Sequence, residues 1–402
     1  MIVVKKFGGS SVANEERIRN VADKCIKEYL AGNDVVVVLS AMGDTTDELI
    51  DMAHSINPNA RQREIDMLIT TGEQVSCALL AMAIGARGIP AISLNAFQVM
   101  MHSTSRYGNG RFKRVDTDRI SHELDSRKIV IVTGFQGVNK YDDITTLGRG
   151  GSDTTAVALA AVLRAEKCEI YTDVDGVYTA DPRVVPEAKK LEAITYDEML
   201  ELASLGAKVL HSRSVEMAKK YHVELIVRSS LHNVPGTIVK ETTQVEEMLI
   251  TGVTADKNTG RISVLGIKDE PGTAFGVFDL LAREKINVDI ILQSIGKDGT
   301  KDISFTVALD DMDRAVEILE RNKELLSIKE IASKKDVAKL SVVGAGMMSN
   351  PGVASKLFEA LFNAGINIRM ISTSEIRITV LVDQVDIDNA VRAVHKGFAL
   401  EL

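Results

Sequence analysis

Two stretches of this chain are copies of each other. KDEPGTAFGVFDLLAREKINVDII (268–291) and MSNPGVASKLFEALFNAGINIRMI (348–371) share Pro-Gly at 271–272 and 351–352, Phe at 278 and 358, and Ile-Asn at 286–287 and 366–367. All three features recur at one offset of eighty residues, which makes the last third of the chain two copies of one module. The first copy runs strand RISVLGI, Pro-Gly turn, helix, strand INVDIILQS, strand DISFTVAL and helix MDRAVEILE. That order is a βαββαβ unit of the ferredoxin-like type. Such a scaffold serves many purposes, so the repeat constrains architecture before it constrains function.

The remainder follows a different rule. Apolar runs at 2–7, 34–40, 89–94, 128–135, 167–174 and 223–230 alternate with helical stretches such as ERIRNVADKCIKEYLAG and GEQVSCALLAMAIGARG. Continuous apolar strands between helices predict an α/β sandwich whose central sheet is mainly parallel and covered on both faces. Ligands of such sheets sit beyond the carboxyl ends of the strands. At 402 residues and 45% hydrophobic content the chain has enough material for several cores. A formal charge of -8, with no basic block, argues against a nucleic-acid partner. No uninterrupted apolar run reaches the roughly 18–20 residues that span a bilayer. MIVVKKFGGSS lacks the basic-then-apolar order of a signal peptide, so no membrane partner and a cytoplasmic location are expected. Cys25, Cys77 and Cys168 are far apart, outside any CxxC pattern, and read as buried thiols.

Four loops carry the chemistry. In KKFGGSS (5–11) a strand ends in Gly8-Gly9 just before a helix, an arrangement that suits a phosphate, although Lys6 precedes the glycines and neither GxxxxGK[ST] nor GxGxxG occurs. In TTLGRGGSDTTAVALAAVL (145–163), Gly148, Gly150 and Gly151 surround Arg149, whose planar fork can grip a carboxylate, and Ser152 or Asp153 is placed to cap the following helix. YTDVDGVYTADPRVV (171–185) is no EF-hand, because the twelfth position from Asp173 is Val184 and not Glu. It reads as a wide polar loop for a ribose, a base or a metal-bound triphosphate, or as plain surface. GAKVLHSRS adds Lys208 beside a glycine.

Together and in this order, VKKFGGSSV, SAMGDTTDELI, TTGE, TTLGRGGSDTTA, TDVDGVYTADPRVV, GAKVLHSRS and the paired modules resemble the aspartate kinases of the amino-acid kinase superfamily, with two C-terminal ACT domains. The resemblance covers essentially the whole chain. It implies a kinase domain over 1–240, a linker over 241–258 and ACT modules over 259–335 and 336–402. It implies transfer of the ATP γ-phosphoryl group to the β-carboxylate of L-aspartate, with ATP and Mg²⁺ as cofactors and the Mg²⁺ carried by ATP rather than by assigned protein ligands. By the resemblance, Lys6, Phe7, Gly8, Gly9 and Ser10 attend the ATP phosphates, Lys208 joins them, and Asp153 holds both lysines. Glu73 receives the aspartate ammonium and Arg149 its α-carboxylate, with Thr46, Gly150, Gly151 and Ser152 nearby. Thr172, Asp173, Tyr178, Asp181 and Arg183 line the nucleotide pocket.

The same resemblance places effector positions at Asp269, Asn287, Val288, Asp289 and Gln293 in the first module, and at Asn367, Ile368, Thr373 and Ser374 in the second. Asp289 is matched by Arg369 in the second copy, so the two sites are expected to be unequal, and a carboxylate favours a cationic effector. Lysine, with or without threonine, is the expected inhibitor. A homo-oligomer through the ACT domains is expected, with Met248 a candidate start for a separately made regulatory subunit. The chain ends soon after the second module, unlike forms fused to homoserine dehydrogenase. Two other readings fit fewer of these segments: a sister kinase acting on glutamate, carbamate or a nucleotide, and a non-catalytic amino-acid sensor.

Overall fold

The computed structural model describes residues 1–207, 209–242, 249–296, 299–348 and 350–401. By contact these form two units. The first holds residues 1–177, 190–204 and 209–242, and the second holds 178–189, 205–207 and the described residues from 249 onward.

The first unit opens with β1 (Ile2–Phe7), α1 (Glu15–Leu30), β2 (Asp34–Leu39), α2 (Thr45–Ile56), α3 (Gln62–Ile69) and α4 (Thr71–Gly85). β3 (Ala91–Leu94), β4 (Met101–Ser103), β5 (Phe112–Val115), α5 (Asp118–Asp125), β6 (Ile129–Thr133), β7 (Gln136–Val138) and β8 (Ile144–Thr146) follow. It closes with α6 (Gly151–Val162), β9 (Lys167–Thr172), β10 (Ala193–Thr195), α7 (Tyr196–Ser204), α8 (Ser212–Tyr221), β11 (Leu225–Ser229) and β12 (Thr237–Lys240). The main sheet runs β10-β12-β11-β9-β1-β2-β6-β3 and is parallel except where β12 meets β11. β1 lies at its centre, with Val4 beside Val36 on one flank and Cys168 on the other. Its valine-rich strands are buried on both faces, and the three cysteines are buried free thiols.

One face of this sheet is covered by α1 and α4, whose Ile18, Val21, Leu80 and Ile84 pack on Phe7, Val35, Val37 and Leu39. α1 starts where Asn14 Oδ1 accepts the Arg17 N–H at 3.0 Å and Glu15 and Glu16 meet the positive end of the helix. Side chains alternate along β1, so the adjacent Lys5 and Lys6 point to opposite faces. Lys5 is buried under α1, 2.5 Å from Glu169 and 2.8 Å from Glu28. Burial opposes its charge, but Tyr171 and these carboxylates hold the ammonium well above the usual lysine range. The run Gln62–Gly85 is long and apolar enough to cross a membrane by length and composition. Here Ile65, Ile69, Cys77, Leu80 and Ile84 along it are buried within the protein, as are Asp66 and Glu73.

A smaller sheet, β5-β4-β7-β8, was not foreseen from sequence. Its strands are three or four residues long, too short to display a period. A second difference concerns α6. The helix begins at Gly151, with Gly150 as its cap in the left-handed region (φ 68°), so Ser152 and Asp153 sit inside the first turn and do not cap it. Their side chains bond elsewhere: Ser40 Oγ donates to Ser152 Oγ at 3.0 Å, and Asp153 pairs with Lys6.

The second unit contains β13 (Gly252–Lys268), α9 (Thr273–Arg283), β14 (Ile291–Ile295), β15 (Thr300–Val307), α10 (Leu309–Arg321), β16 (Glu330–Val343), α11 (Val353–Asn363), β17 (Met370–Thr373), β18 (Arg377–Asp383) and α12 (Ile387–Gly397). These strands form one antiparallel sheet, β14-β15-β13-β16-β18-β17. β13 and β16 are each long enough to serve both modules. Arg261–Leu265 pair with Glu330–Lys334 in the first module, while Gly252–Asp256 pair with Lys339–Val343 in the second. The cores divide the same way. Ile262, Val264, Val277, Phe305 and Leu319 form one cluster, and Val253, Leu340, Leu357, Val380 and Val394 belong to another. The first module is thus inserted into the second. Residues 252–258, expected within a linker, are strand, and the strand expected from Ile286 begins only at Ile291.

Segment 178–189 belongs to this second unit. Ala180 and Val185 are buried in the second module's cluster, Val253 N–H donates to the Thr179 carbonyl at 2.8 Å, and Thr179 Oγ1 lies 2.9 Å from His395 Nε2 on α12.

Candidate active site

Beyond the carboxyl ends of β1 and β2, a cavity of about 550 Å³ opens in the first unit. Lys6, Gly8 and Gly9 line one part of it, Thr46 and Glu73 another, and the run Arg149 to Asp153 a third. Four segments far apart in sequence therefore meet, as expected for a parallel α/β sheet.

Lys6 Nζ lies 2.6 Å from Asp153 Oδ1, and both side chains are largely buried. A paired ammonium at the edge of a glycine turn is a fixed cation whose direction is set before any anion arrives. Gly9 is required by space: a Cβ there would stand 3.0 Å from the carbonyl oxygens of Ala41 and Gly43. Gly8 gives its N–H to the Tyr171 carbonyl at 3.2 Å, which ties the turn to β9. Phe7 does not line the cavity. It is fully buried below the turn and stacks on Tyr171 with ring centroids 4.5 Å apart. Ser10 is exposed, and its carbonyl accepts from Arg17.

The Arg149 loop needs its glycines for different reasons. Gly148 (φ 78°) and Gly150 (φ 68°) are left-handed, and a Cβ on Gly150 would fall 2.2 Å from His211 Cβ. Arg149 itself is exposed and has no hydrogen-bond or ion-pair partner among the described residues. Glu73, in the first turn of α4, is its opposite. It is only 3% exposed, Oε1 accepts the Ala41 N–H at 3.2 Å, and Oε2 is buried with no partner. Burial pushes its carboxyl up to about 7, against the opposing effect of the backbone N–H groups. An orphaned carboxylate oxygen facing a cavity is a place for an ammonium. Among the described residues no group of three or more His, Cys, Asp and Glu side chains converges as a metal site.

The remaining expected residues lie elsewhere. Thr172 closes β9 and Asp173 follows it in the first unit, where Thr172 Oγ1 donates to Asp173 Oδ1 at 2.9 Å. Tyr178, Asp181 and Arg183 lie in the second unit, and the Arg183 guanidinium clasps Asp181 at 2.7 and 3.0 Å, holding that carboxyl below its usual range. Lys208 and Met248 are outside the described residues.

Of the effector positions, Asp269 pairs with Lys301 at 2.5 Å and Asp289 with Lys339. Gln293 and Thr373 occupy equivalent places on the edge strands β14 and β17, and Val288 and Ile368 pack on their respective module cores. Asn287 and Asn367 stand one residue before these, and Ser374 N–H donates to the Arg377 carbonyl at 2.8 Å. Arg369, where the first module has Asp289, instead grips Asp383 at 2.6 Å. Arg369 and Lys334 draw that carboxyl down to about 2. The two modules thus carry opposite charges at one position, each balanced by its own partner.

Sequence reasoning missed part of the cavity wall, including Ser40, His54, Gln62, Gly108 and Thr146. Ser40 and Thr146 stand inside the motifs SAMGDTTDELI and TTLGRGGSDTTA but had no role of their own there, and His54, Gln62 and Gly108 are single residues without a motif around them.

The amino acid kinase family model matches residues 1–229, and an ACT domain model matches 262–322 and 340–398. The chain is 53% identical over 405 residues to an aspartokinase of Corynebacterium glutamicum, covering 99% of this chain and 96% of that one. The chain belongs to the aspartokinase family. An aspartokinase of Bacillus sp. strain MGA3 is 50% identical over 400 residues, covering 99% of this chain and 97% of the relative. The crystal structure of E. coli aspartokinase III in complex with aspartate and ADP (R-state) superposes with a TM-score of 0.85 at 26% identity, over 99% of both chains. For the same enzyme with lysine and aspartate (T-state) the TM-score is 0.75. The aspartokinase resemblance carried by the glycine loops and the paired modules therefore holds over the whole chain, and the two ACT matches both fall in the second unit.

Proposed function

We propose that this chain transfers the γ-phosphoryl group of ATP to the β-carboxylate of L-aspartate, giving 4-phospho-L-aspartate and ADP. The observation that carries the reading is the orphaned Glu73 carboxylate oxygen, which shares one cavity with the unpaired Arg149 and with the Lys6–Asp153 pair. An amino acid needs one anion and one cation to hold its ammonium and α-carboxylate, and the transferred phosphoryl group needs a further cation. In the reaction a β-carboxylate oxygen attacks the γ-phosphorus as the bond from that phosphorus to the bridging oxygen of ADP breaks. The acceptor is already ionised at neutral pH, with an unperturbed pKa of about 4, so no general base is required. Lys6, oriented by Asp153, steadies the phosphoryl oxygens, and Gly8, Gly9 and Ser10 approach them by their backbone. Thr46, Gly150, Gly151 and Ser152 shape the acceptor side. Mg²⁺, carried on the triphosphate, would screen its charge. Thr172, Asp173, Tyr178, Asp181, Arg183 and Lys208 are assigned to the nucleotide.

The ACT domains make the enzyme allosteric, and lysine, alone or with threonine, is the proposed inhibitor. Asp289 supplies the carboxylate for a cationic effector in the first module, and Arg369 makes the second module a poor site for one. The E. coli relative was crystallised with lysine and aspartate in its T-state. The enzyme acts in the cytosol as a homo-oligomer through its ACT domains, with Met248 as the start of a separately made regulatory subunit.

The test is ADP release by the purified chain with Mg-ATP and L-aspartate, L-glutamate or no acceptor, followed by lysine and threonine singly and together. Turnover with aspartate alone, inhibited by lysine, is expected. Aspartate-independent ADP release, or glutamate used as well as aspartate, would refute the assignment.

A further inference from the structure

Asp66 lies on α3 with its carboxylate fully buried and makes no ion pair among the described residues. An ionised carboxylate in such a place is tolerated only when donors surround it. Here they do. Gly108 N–H donates to Oδ2 at 2.8 Å and Thr146 N–H to the same oxygen at 2.9 Å, while Thr146 Oγ1 and Gln62 Nε2 donate to Oδ1 at 3.1 and 3.0 Å. Gln62, Gly108 and Thr146 all line the cavity, and Asp66 does not.

A second charged side chain works on the same two loops from another side. Arg213, in the first turn of α8, donates through one guanidinium nitrogen to the Leu147 carbonyl at 2.9 Å and through the other to the Gly110 carbonyl at 2.7 Å. It too stays out of the cavity. Gly110 N–H donates to the Thr146 carbonyl at 2.7 Å, and a Cβ on Gly148 would approach the Gly108 carbonyl to 3.2 Å. Segments 108–110 and 146–148 are therefore held together by a carboxylate at one point and a guanidinium at another, and the residue that follows is Arg149.

We propose that Asp66 and Arg213 are positioning residues for the acceptor side of the cavity: without touching the substrate, they hold the two loops in register and so fix where Arg149 receives the acceptor's α-carboxylate. The inference rests on the proposed function. Packing alone would not call for a buried anion and a forked cation converging on backbone atoms of the same two loops. Their geometry specifies a position, and charge-assisted bonds to backbone N–H groups are the strong kind.

Asp66→Asn keeps the shape of the side chain but removes its charge and one acceptor oxygen: with the amide oxygen left to the Gly108 and Thr146 N–H groups, its NH₂ faces the Thr146 hydroxyl and the Gln62 amide, which both donate to Asp66. Arg213→Lys keeps the charge but loses the fork. Each is expected to raise the KM for aspartate about tenfold, equivalent to about 1.4 kcal/mol, with the KM for ATP changed by less than about twofold. If the effect passes through Arg149, either substitution made in an Arg149→Lys background will add less than about twofold. A rise in both KM values together, multiplicative effects with Arg149→Lys, or a lower Tm with unchanged aspartate KM would overturn the proposal. Should Asp66→Asn fail to fold, Arg213→Lys carries the same comparison. The wild-type enzyme is assayed alongside. If it does not phosphorylate aspartate, the functional assignment fails and this inference falls with it. If it does and the variants behave as wild type, the positioning role alone fails.

Discussion

Lowering the pH should weaken aspartate binding by an amount set by Glu73. Its carboxyl is raised from 4.5 to about 7 by burial, so in the free enzyme the charged form is about nine-tenths populated at pH 8 and about one-tenth at pH 6. If only the carboxylate accepts the substrate ammonium, the apparent KM for aspartate should be about tenfold higher at pH 6 than at pH 8. Raising this pKa means that charging Glu73 in the folded state costs about 3 kcal/mol, so the free enzyme loses stability as pH rises from about 4.5 through 7. Aspartate restores that loss by pairing the charge, and its stabilisation of the fold should be larger at pH 8 than at pH 6. Glu73→Gln keeps the shape and abolishes the titration. It should raise KM at pH 8 roughly 10- to 150-fold, the loss of a bond to a charged group worth about 1.5–3 kcal/mol, and should flatten the pH profile. Initial rates against aspartate at fixed saturating Mg-ATP from pH 6 to 8 decide the matter, the Gln variant reporting whatever the substrate's own ionisation contributes. A flat wild-type profile, or an equal slope in Glu73→Gln, would refute the reasoning.

Gly150→Ala must place a Cβ against His211 at a φ of 68°, so acceptor KM should rise steeply while ATP binding, followed by calorimetry, survives. Asp153→Asn leaves Lys6 without its counter-charge and should lower kcat by roughly 10²-fold with little change in either KM, as measured by steady-state ADP release. Asp289→Asn should weaken lysine inhibition at least about fivefold while basal turnover is retained, because it removes the first module's carboxylate but none of the kinase residues. Phe305→Ala empties the centre of the first module's core, where Phe305 meets Phe278 edge-on at 5.4 Å, and should cost about 3–5 kcal/mol by denaturant unfolding, abolishing the lysine response before activity.

The valine runs of β1 and β2 were legible because strands buried on both faces advertise themselves as continuous apolar sequence, and the modules were legible because they repeat. The acceptor side was legible only as motif. Nothing in TTGE says that Glu73 will be buried with one free oxygen, since that depends on the Ala41 backbone, thirty-two residues earlier. Asp66 was invisible. In QREIDMLI it looks like one more polar residue on an amphipathic helix, and only the arrival of Gly108 and Thr146 from distant loops makes its burial tolerable. The expected helix cap was misplaced for a related reason. Asp153 has the chemistry of a cap, but β1 brings Lys6 to it, and an ion pair outcompetes a local hydrogen bond that Gly150 renders unnecessary.

The insertion of one ACT module within the other also orders events during synthesis. The strand segment Gly252–Asp256 must wait for Lys339–Val343 before it can pair, and the cluster that holds Val253 is complete only when α12 has been made. At about 5–20 residues per second that is a delay of roughly 7–30 s, during which the first module can close on its own core and the second cannot. A nascent chain halted before α12 would therefore present a finished regulatory module beside an open, strand-edged half. That half would expose the unpaired edge of Gly252–Asp256 to other chains.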